Sequence, residues 1–268
     1  MTQDSAIEPD DLHQVKKTWS PFDQLSSGAR ARLRRLWSGL GFNPLTASAL
    51  RYEFDMVLLR ARCALSPSHR RQVSELANGR SLLVHLGCGN ALFPGWVNVD
   101  CYPPATRPGA KVITLDMRRG LPFASQTVAA IFTEHFLEHL PVTTVAQVIL
   151  PEMRRVLEPG GRVRIGVPDG EYFVNKYVEY RAGQVDPLFE QHRRGLSPMT
   201  MLNEIAHGFG HHFAYDFATM KAMLEASGFG EVHRTDAGVT TAPVFQGRDR
   251  IDEWRQAMSL YVEATAAA

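Results

Sequence analysis

Cysteine is scarce in this chain. Cys63, Cys88 and Cys101 are the only three in 268 residues, and no two are spaced as a zinc-binding pair. That excludes a disulfide-stapled scaffold and fits a reducing compartment, so a cytoplasmic location is expected. Charge of one sign is lacking as well. The formal net charge is +1, and no overall field draws the chain to nucleic acid or to a membrane surface. No apolar run approaches the roughly 18 residues needed to cross a bilayer. The segment Met1 to Asp11 is polar and acidic, without the apolar core of a secretion signal. Internal repeats are absent. What remains is 44% hydrophobic, enough for one large packed domain, alone or with an appendage.

Residues 1–26 read as a loose lead-in with a turn at Ser20-Pro21. Residues 27–79 read as helices: Leu33, Leu36 and Trp37 recur at helical spacing, as do Leu50, Phe54, Leu58 and Leu59. Asn43-Pro44 and Ser66-Pro67-Ser68 break them. The arginines of this stretch, Arg30, Arg32, Arg34, Arg35, Arg60, Arg62, Arg70 and Arg71, suit solvated helix faces, with an anionic substrate or partner as the alternative. From residue 81 the pattern changes to short apolar runs alternating with turns and helices. The runs are 82–86, 96–99, 111–115, 128–133 and 162–167, continuous rather than alternating, as in strands buried on both faces. A helix is expected over 143–157, kinked or broken by Pro151 and stopped by Pro159-Gly160-Gly161. Asp216 reads as the N-cap of a helix over 217–227 that Gly228 ends, and late strands are expected at 231–235 and 258–264.

The richest stretch is Leu82-Leu83-Val84-His85-Leu86-Gly87-Cys88-Gly89-Asn90, followed by Trp96-Val97-Asn98-Val99-Asp100. An apolar run ends in a Gly-x-Gly turn, and the next run ends in an acid. Doubly wound α/β sheets build nucleoside sites this way, with glycines that let backbone approach the ligand and an acid that holds ribose hydroxyls.

Further signals follow in order: Asp116-Met117 with Leu121-Pro122-Phe123, Glu134-His135-Phe136-Leu137-Glu138-His139-Leu140, Arg155-Val156-Leu157-Glu158-Pro159-Gly160-Gly161 and Val167-Pro168-Asp169. In this order they resemble the class I S-adenosylmethionine-dependent methyltransferases over about residues 81–265. One feature departs from most of that family. Only 11 positions separate Gly89 from Asp100, too few for a full helix. The chain is similar to the bacterial subgroup in which a Pro-Gly-Trp turn leads straight into the second strand.

The resemblance implies a doubly wound, Rossmann-like, seven-stranded sheet with an antiparallel last strand. The methyltransferase domain would span 80–268, with 1–79 as an N-terminal helical extension or lid. It implies S-adenosylmethionine as cofactor, held by Leu86, Gly87, Cys88, Gly89, Asp100, Cys101, Asp116, Met117, Glu134 and His135. Asp100 would take the ribose hydroxyls, and Asp116 and Met117 would border adenine. The reaction would be methyl transfer to a small-molecule or glycan-type acceptor. The alternative is a non-methylating enzyme of the same fold, such as one that cyclises the cofactor to an azetidine. No nucleic-acid partner is expected; a homodimer is left open.

Methyl transfer needs an acceptor lone pair aligned behind the methyl carbon and, for many acceptors, a base. The candidate catalytic residues are His135, Glu134, His211 and Asp169. Glu138 and His139 can equally cap and pack the turn after the fourth strand. His211 and His212 point different ways on an extended segment, so one of them is expected to face the pocket. Tyr172, Phe173 and Tyr177 read as an aromatic wall or as core, and Cys88 as a small buried residue rather than a nucleophile. His135, Glu138 and His139 fall at i, i+3 and i+4, and with His207 or His211 could make a divalent-ion site. Some O-methyltransferases carry a similar Glu-x-x-Glu-His set, but here the first position is His, and no metal is expected.

Overall fold

In a computed structural model, residues 39, 41, 44–102, 108–193 and 195–267 are described. The expected lead-in, its Ser20-Pro21 turn and the helix carrying Leu33, Leu36 and Trp37 lie outside them, as does Asn43. Among the described residues the first long helices are α1 (Pro44–Leu65) and α2 (Pro67–Ala77). Ser66 separates them as expected: its hydroxyl accepts from the His69 N–H at 3.2 Å, with Pro67 at a first-turn position whose N–H has no partner to lose.

Seven strands form one sheet in the order β3-β2-β1-β4-β5-β7-β6. They are β1 (Leu82–Leu86), β2 (Val97–Asp100), β3 (Lys111–Thr114), β4 (Val128–Glu134), β5 (Leu157–Pro168), β6 (Phe229–Thr235) and β7 (Ser259–Ala266). β7 runs antiparallel to both neighbours, and the remaining pairs are parallel. The expected fold class is therefore the observed one. β5 begins earlier than its apolar run suggests, because Pro159-Gly160-Gly161 lies inside the strand rather than before it.

The helical stretch α3 (142–156) shows what Pro151 does. A π turn over Val145–Ile149 precedes Leu150–Val156, and the Leu150 N–H reaches back to the Val145 carbonyl. The wider turn absorbs the hydrogen bond that proline cannot make. Helices α4 (Gly170–Arg181), α5 (Pro187–Arg193), α6 (Pro198–His207), α7 (Phe217–Ala226) and α8 (Glu253–Met258) complete the chain. Asp216 caps α7 as expected, accepting from the Thr219 N–H at 2.8 Å.

The two sheet faces are covered differently. One carries the main core, where Val84, Leu86, Ile131, Val163, Ile165 and Val262 meet Leu76 of α2, Leu150 and Met153 of α3, and Met220 and Leu224 of α7. The other is covered by the short 87–96 linker and the β6–β7 connection, through Trp96, Phe132, Ala242 and Phe245 with Phe93 and Val244. No helix separates Gly87 from Trp96. Asn98, fully buried, ties this linker down. Its side-chain oxygen accepts from the Phe93 N–H at 2.8 Å, and its amide donates to the carbonyls of Phe93, Trp96 and Lys111, each at 3.1 Å.

On the same face His85 stacks on Phe93 with ring centroids 4.3 Å apart. Burial pushes its pKa down to about 3, so the folded state keeps it neutral while the unfolded chain protonates near 6.5. Stability is therefore lost as pH falls below about 6.5, at roughly 1.4 kcal/mol per pH unit for one proton. In urea unfolding from pH 7.5 to 5, the His85→Leu variant should lack this contribution, narrowing any deficit against the parent by about 2 kcal/mol at pH 5. Parallel pH profiles would show that His85 is not the group responsible.

The apolar stripe of α1 is not buried as its spacing suggests. Leu50, Phe54 and Leu58 are exposed among the described residues, and Met56 and Asp55 are the buried positions. The reason is polar anchorage. α1 meets the sheet edge through Arg60 and Glu53, which bind Asp116 and Arg118, and through the Cys63 thiol, which donates to the Thr114 carbonyl at 3.3 Å.

Candidate active site at the switch point of the sheet

Strand order reverses between β1 and β4, and open α/β sheets bind ligands outside the carboxyl ends of their strands at such a point. The two turns that leave those ends carry the candidate residues. After β1, Gly87 and Gly89 both adopt positive φ, +64° and +49°. A side chain on Gly87 would sit 2.4 Å from the Phe136 Cβ, so glycine is required for the β1 and β4 turns to pack together. Gly89 faces open space. The Gly89 N–H donates to Asp100 Oδ2 at 2.8 Å, and the Tyr102 N–H to Oδ1 at 3.0 Å. Asp100 thus braces the glycine turn and stands at its mouth. Cys88 is buried, its thiol pushed up to about 12 by burial and by Asp100, and Cys101 is pushed up by the same two causes. Both stay neutral; Cys88 packs as a small buried group, and the Cys101 thiol donates to Asp100.

Asp116 stands two residues beyond β3, with both oxygens engaged. It accepts from the Arg118 Nε at 2.9 Å and the Arg60 guanidinium at 3.1 Å, and caps the turn Met117–Arg119. Arg60 is the more exposed of the two arginines, at 37% against 18%. Met117 lies buried beside it.

After β4, His135 takes a left-handed backbone (φ +52°), with its N–H donating to the Gly166 carbonyl at 2.8 Å. This bend turns the chain into the 3₁₀ turn Leu137–His139. The sequence spacing suggests one helical face, but 3₁₀ geometry places these residues instead. His135 Nδ1 still lies 3.2 Å from Glu138 Oε1, and His135 Nε2 is 2.9 Å from the Ser259 hydroxyl. His139 Nε2 is 3.9 Å from the same Glu138 oxygen. From beyond α6, the His212 N–H donates to the Glu138 carbonyl at 2.7 Å, which seats the His211 ring against His139 with centroids 4.9 Å apart. Burial alone would raise the Glu138 carboxyl, but the hydrogen bond and charge of His135, with His139 beside it, hold it below the usual range. Burial pushes His211 down and keeps it neutral.

The structure therefore brings His135, Glu138, His139 and His211 together and leaves two other candidates elsewhere. Glu134 points to the opposite sheet face, where its Oε1 accepts from the Tyr261 hydroxyl at 2.7 Å and the Arg250 N–H at 3.0 Å. Asp169 caps α4, accepting from the N–H groups of Glu171 and Tyr172, and pairs with Arg234 at 2.6 Å. Phe173 is the centre of a small core joining α4, α5, α6 and α8 beside the site. Sequence reading passed over Ser259, Tyr261 and Arg234, which lie on late strands and gave no motif.

Residues 84–165 match a family model described as a methyltransferase domain. Among solved structures, the chain is similar to an S-adenosylmethionine-dependent methyltransferase from Archaeoglobus fulgidus: 15% identity, 78% of this chain and 94% of that one covered, TM-score 0.43. It is also similar to one from Mesorhizobium loti: 17% identity, 75% and 99% covered, TM-score 0.41. No curated protein matches the chain. The stretch from β1 into β5, with its glycine turn at the switch point, is the part of the chain that matches this methyltransferase domain.

Proposed function

We propose that the chain transfers the methyl group of S-adenosylmethionine to a small-molecule or glycan-type acceptor at the carboxyl ends of β1 and β4. The observation that carries this reading is the pairing of two turns across the switch point, an open glycine cradle braced by Asp100 and a histidine-carboxylate cluster beside it. Leu86, Gly87, Cys88, Gly89, Asp100 and Cys101 would hold the ribose and methionyl parts, and Asp116 and Met117 would border adenine. The cofactor supplies an electrophilic methyl carbon on positive sulfur. What the chain must add is orientation, water exclusion and a place for the acceptor's proton.

His135 and His211 serve best as that place. Each has one ring nitrogen fixed by a partner, Ser259 or the Ile205 carbonyl, and the other directed to the cluster. Glu138 stabilises the imidazolium that forms when either takes a proton. Glu134 and Asp169, both engaged, shape the walls: Glu134 locks the end of β4 to β7, and Asp169 orients α4. Residues 1–79 would act as the extension, with α1 closing the adenine side through Arg60 and Glu53. The formal net charge of +1 favours a small acceptor over a polyanion.

Methyl-labelled S-adenosylmethionine offered with a panel of small hydroxyl, amine and glycan acceptors should give label transfer. His135→Ala should lower kcat about 100-fold or more with little change in affinity for S-adenosylhomocysteine. Equal loss of both would make His135 structural. Label found only on RNA or DNA would overturn the acceptor class.

A further inference from the structure

We propose that Glu138, His139 and His211, with His135 alongside, form a binding site for a divalent transition-metal ion of the zinc type. The ligand atoms of the first three lie within 4.8 Å of one another. Donors about 2.0–2.2 Å from a tetrahedral ion stand roughly 3.4 Å apart, so rotation of the exposed His139 ring supplies most of the remaining approach.

Three independent features single this cluster out. First, Glu138 is 1% exposed, and its Oε2 has no hydrogen-bond partner, while Oε1 faces only His135 Nδ1 at 3.2 Å. A buried carboxylate with an unpartnered oxygen is disfavoured unless a further donor or a cation satisfies it. Second, His211 is pre-set as a ligand. Its Nδ1 donates to the Ile205 carbonyl at 2.8 Å, so Nε2 is the bare nitrogen. Metal-binding histidines are typically oriented in this way, by donating their other N–H to a backbone carbonyl. Third, the group is open on one side. The His139 side chain is 40% exposed, which gives an ion a way in and leaves a coordination position free.

The donor chemistry narrows the ion. Two or three imidazoles with one carboxylate suit zinc, cobalt, iron or nickel, whereas magnesium and calcium take oxygen donors. The backbone geometry is committed as well. The 3₁₀ turn sets Glu138 and His139, and the His212 N–H, bound to the Glu138 carbonyl, fixes the approach of His211. His207, the alternative fourth ligand by sequence, ends α6 and lies outside the group. Phe136, between His135 and the 3₁₀ turn, packs on Gly87, so an ion here stands beside the cofactor cradle. Resting on the methyl-transfer reading, a hydroxyl acceptor bound to such an ion becomes more acidic, and with the His211 Nε2 held by the ion, His135 is the place for its proton.

The test is ion uptake by the full chain, stripped with chelator and then titrated separately with Zn²⁺, Co²⁺ and Mg²⁺ by calorimetry and elemental analysis. One equivalent of Zn²⁺ or Co²⁺ is expected, with little response to Mg²⁺. Glu138→Gln, His211→Asn and His139→Asn should each weaken Zn²⁺ binding by at least about 100-fold, in keeping with loss of a direct ligand. His139 is half exposed, so its variant keeps the test valid even if the buried Glu138 variant does not fold. Absence of stoichiometric uptake by the folded parent overturns the site, as does uptake undiminished in the His139 and His211 variants. S-adenosylhomocysteine titrated into the same samples separates the two readings. Nucleoside binding without an ion removes only the metal, and ion uptake without nucleoside binding removes only the cofactor cradle.

Discussion

Asp100→Ala is expected to weaken S-adenosylhomocysteine binding by about 10- to 100-fold. A charge-assisted hydrogen bond contributes roughly 1.5–3 kcal/mol, and its loss translates into that range. Two effects combine. The variant removes the acid at the mouth of the cradle, and it frees the Gly89 and Tyr102 N–H groups that the carboxylate now holds at 2.8 and 3.0 Å. The glycine turn then loses the brace that keeps its backbone presented to a ligand. Asp100→Asn separates the effects, since its remaining carbonyl oxygen can still accept from one N–H group while the charge is gone. Calorimetry on both variants, with melting curves to show an intact fold, decides the matter. An unchanged affinity in Asp100→Ala would remove Asp100 from the site.

The second large effect lies on the opposite sheet face. Arg164 is fully buried in mid-β5 and holds together the long β6–β7 connection. Its guanidinium donates to Asp249 Oδ1 at 2.8 Å, Glu263 Oε1 at 2.7 Å and the Thr235 hydroxyl at 2.8 Å. Glu263 is also buried. Burial alone would raise its carboxyl, but the hydroxyls of Thr240 and Thr241, the Thr241 N–H and Arg164 hold it low. Arg164→Met would strand two carboxylates in a low-dielectric face, a change that costs about 3–5 kcal/mol when one partner of a buried pair is removed. For a chain of this size that is a fall in Tm of roughly 6–20 °C. Replacing Arg164, Asp249 and Glu263 together by apolar residues should recover much of the loss, because no unpaired charge then remains. A melting point within 2 °C of the parent in Arg164→Met, near the shift expected for about 1 kcal/mol, would refute this account.

The same connection explains why the linker after the glycine turn can be short. A sheet face must be covered, and Phe245 and Ala242 fill the area over Phe132 and Trp96. The shortness was legible, since 11 positions from Gly89 to Asp100 leave no room for a helix. The element that takes its place was not legible, because residues 236–252 reach the linker only after β6 and β7 have folded back.

Local pattern by itself determined the strands, the glycine turn, the acid ending β2, the break at Ser66-Pro67, the cap at Asp216 and the consequence of Pro151. Each follows from chain stereochemistry or from period within a few residues, and needs no distant partner. Tertiary structure alone decided which acids are free. Asp116, Glu134 and Asp169 all stand at strand ends and read alike, yet Arg60 and Arg118, Tyr261, and Arg234 occupy them from elsewhere in the chain. It also decided that Glu138, His139 and His211 meet, since His211 arrives from beyond α6 and its ring is set by a carbonyl at Ile205. Whether a polar group is spent or available depends on neighbours brought near by packing, and periodicity carries no information about those.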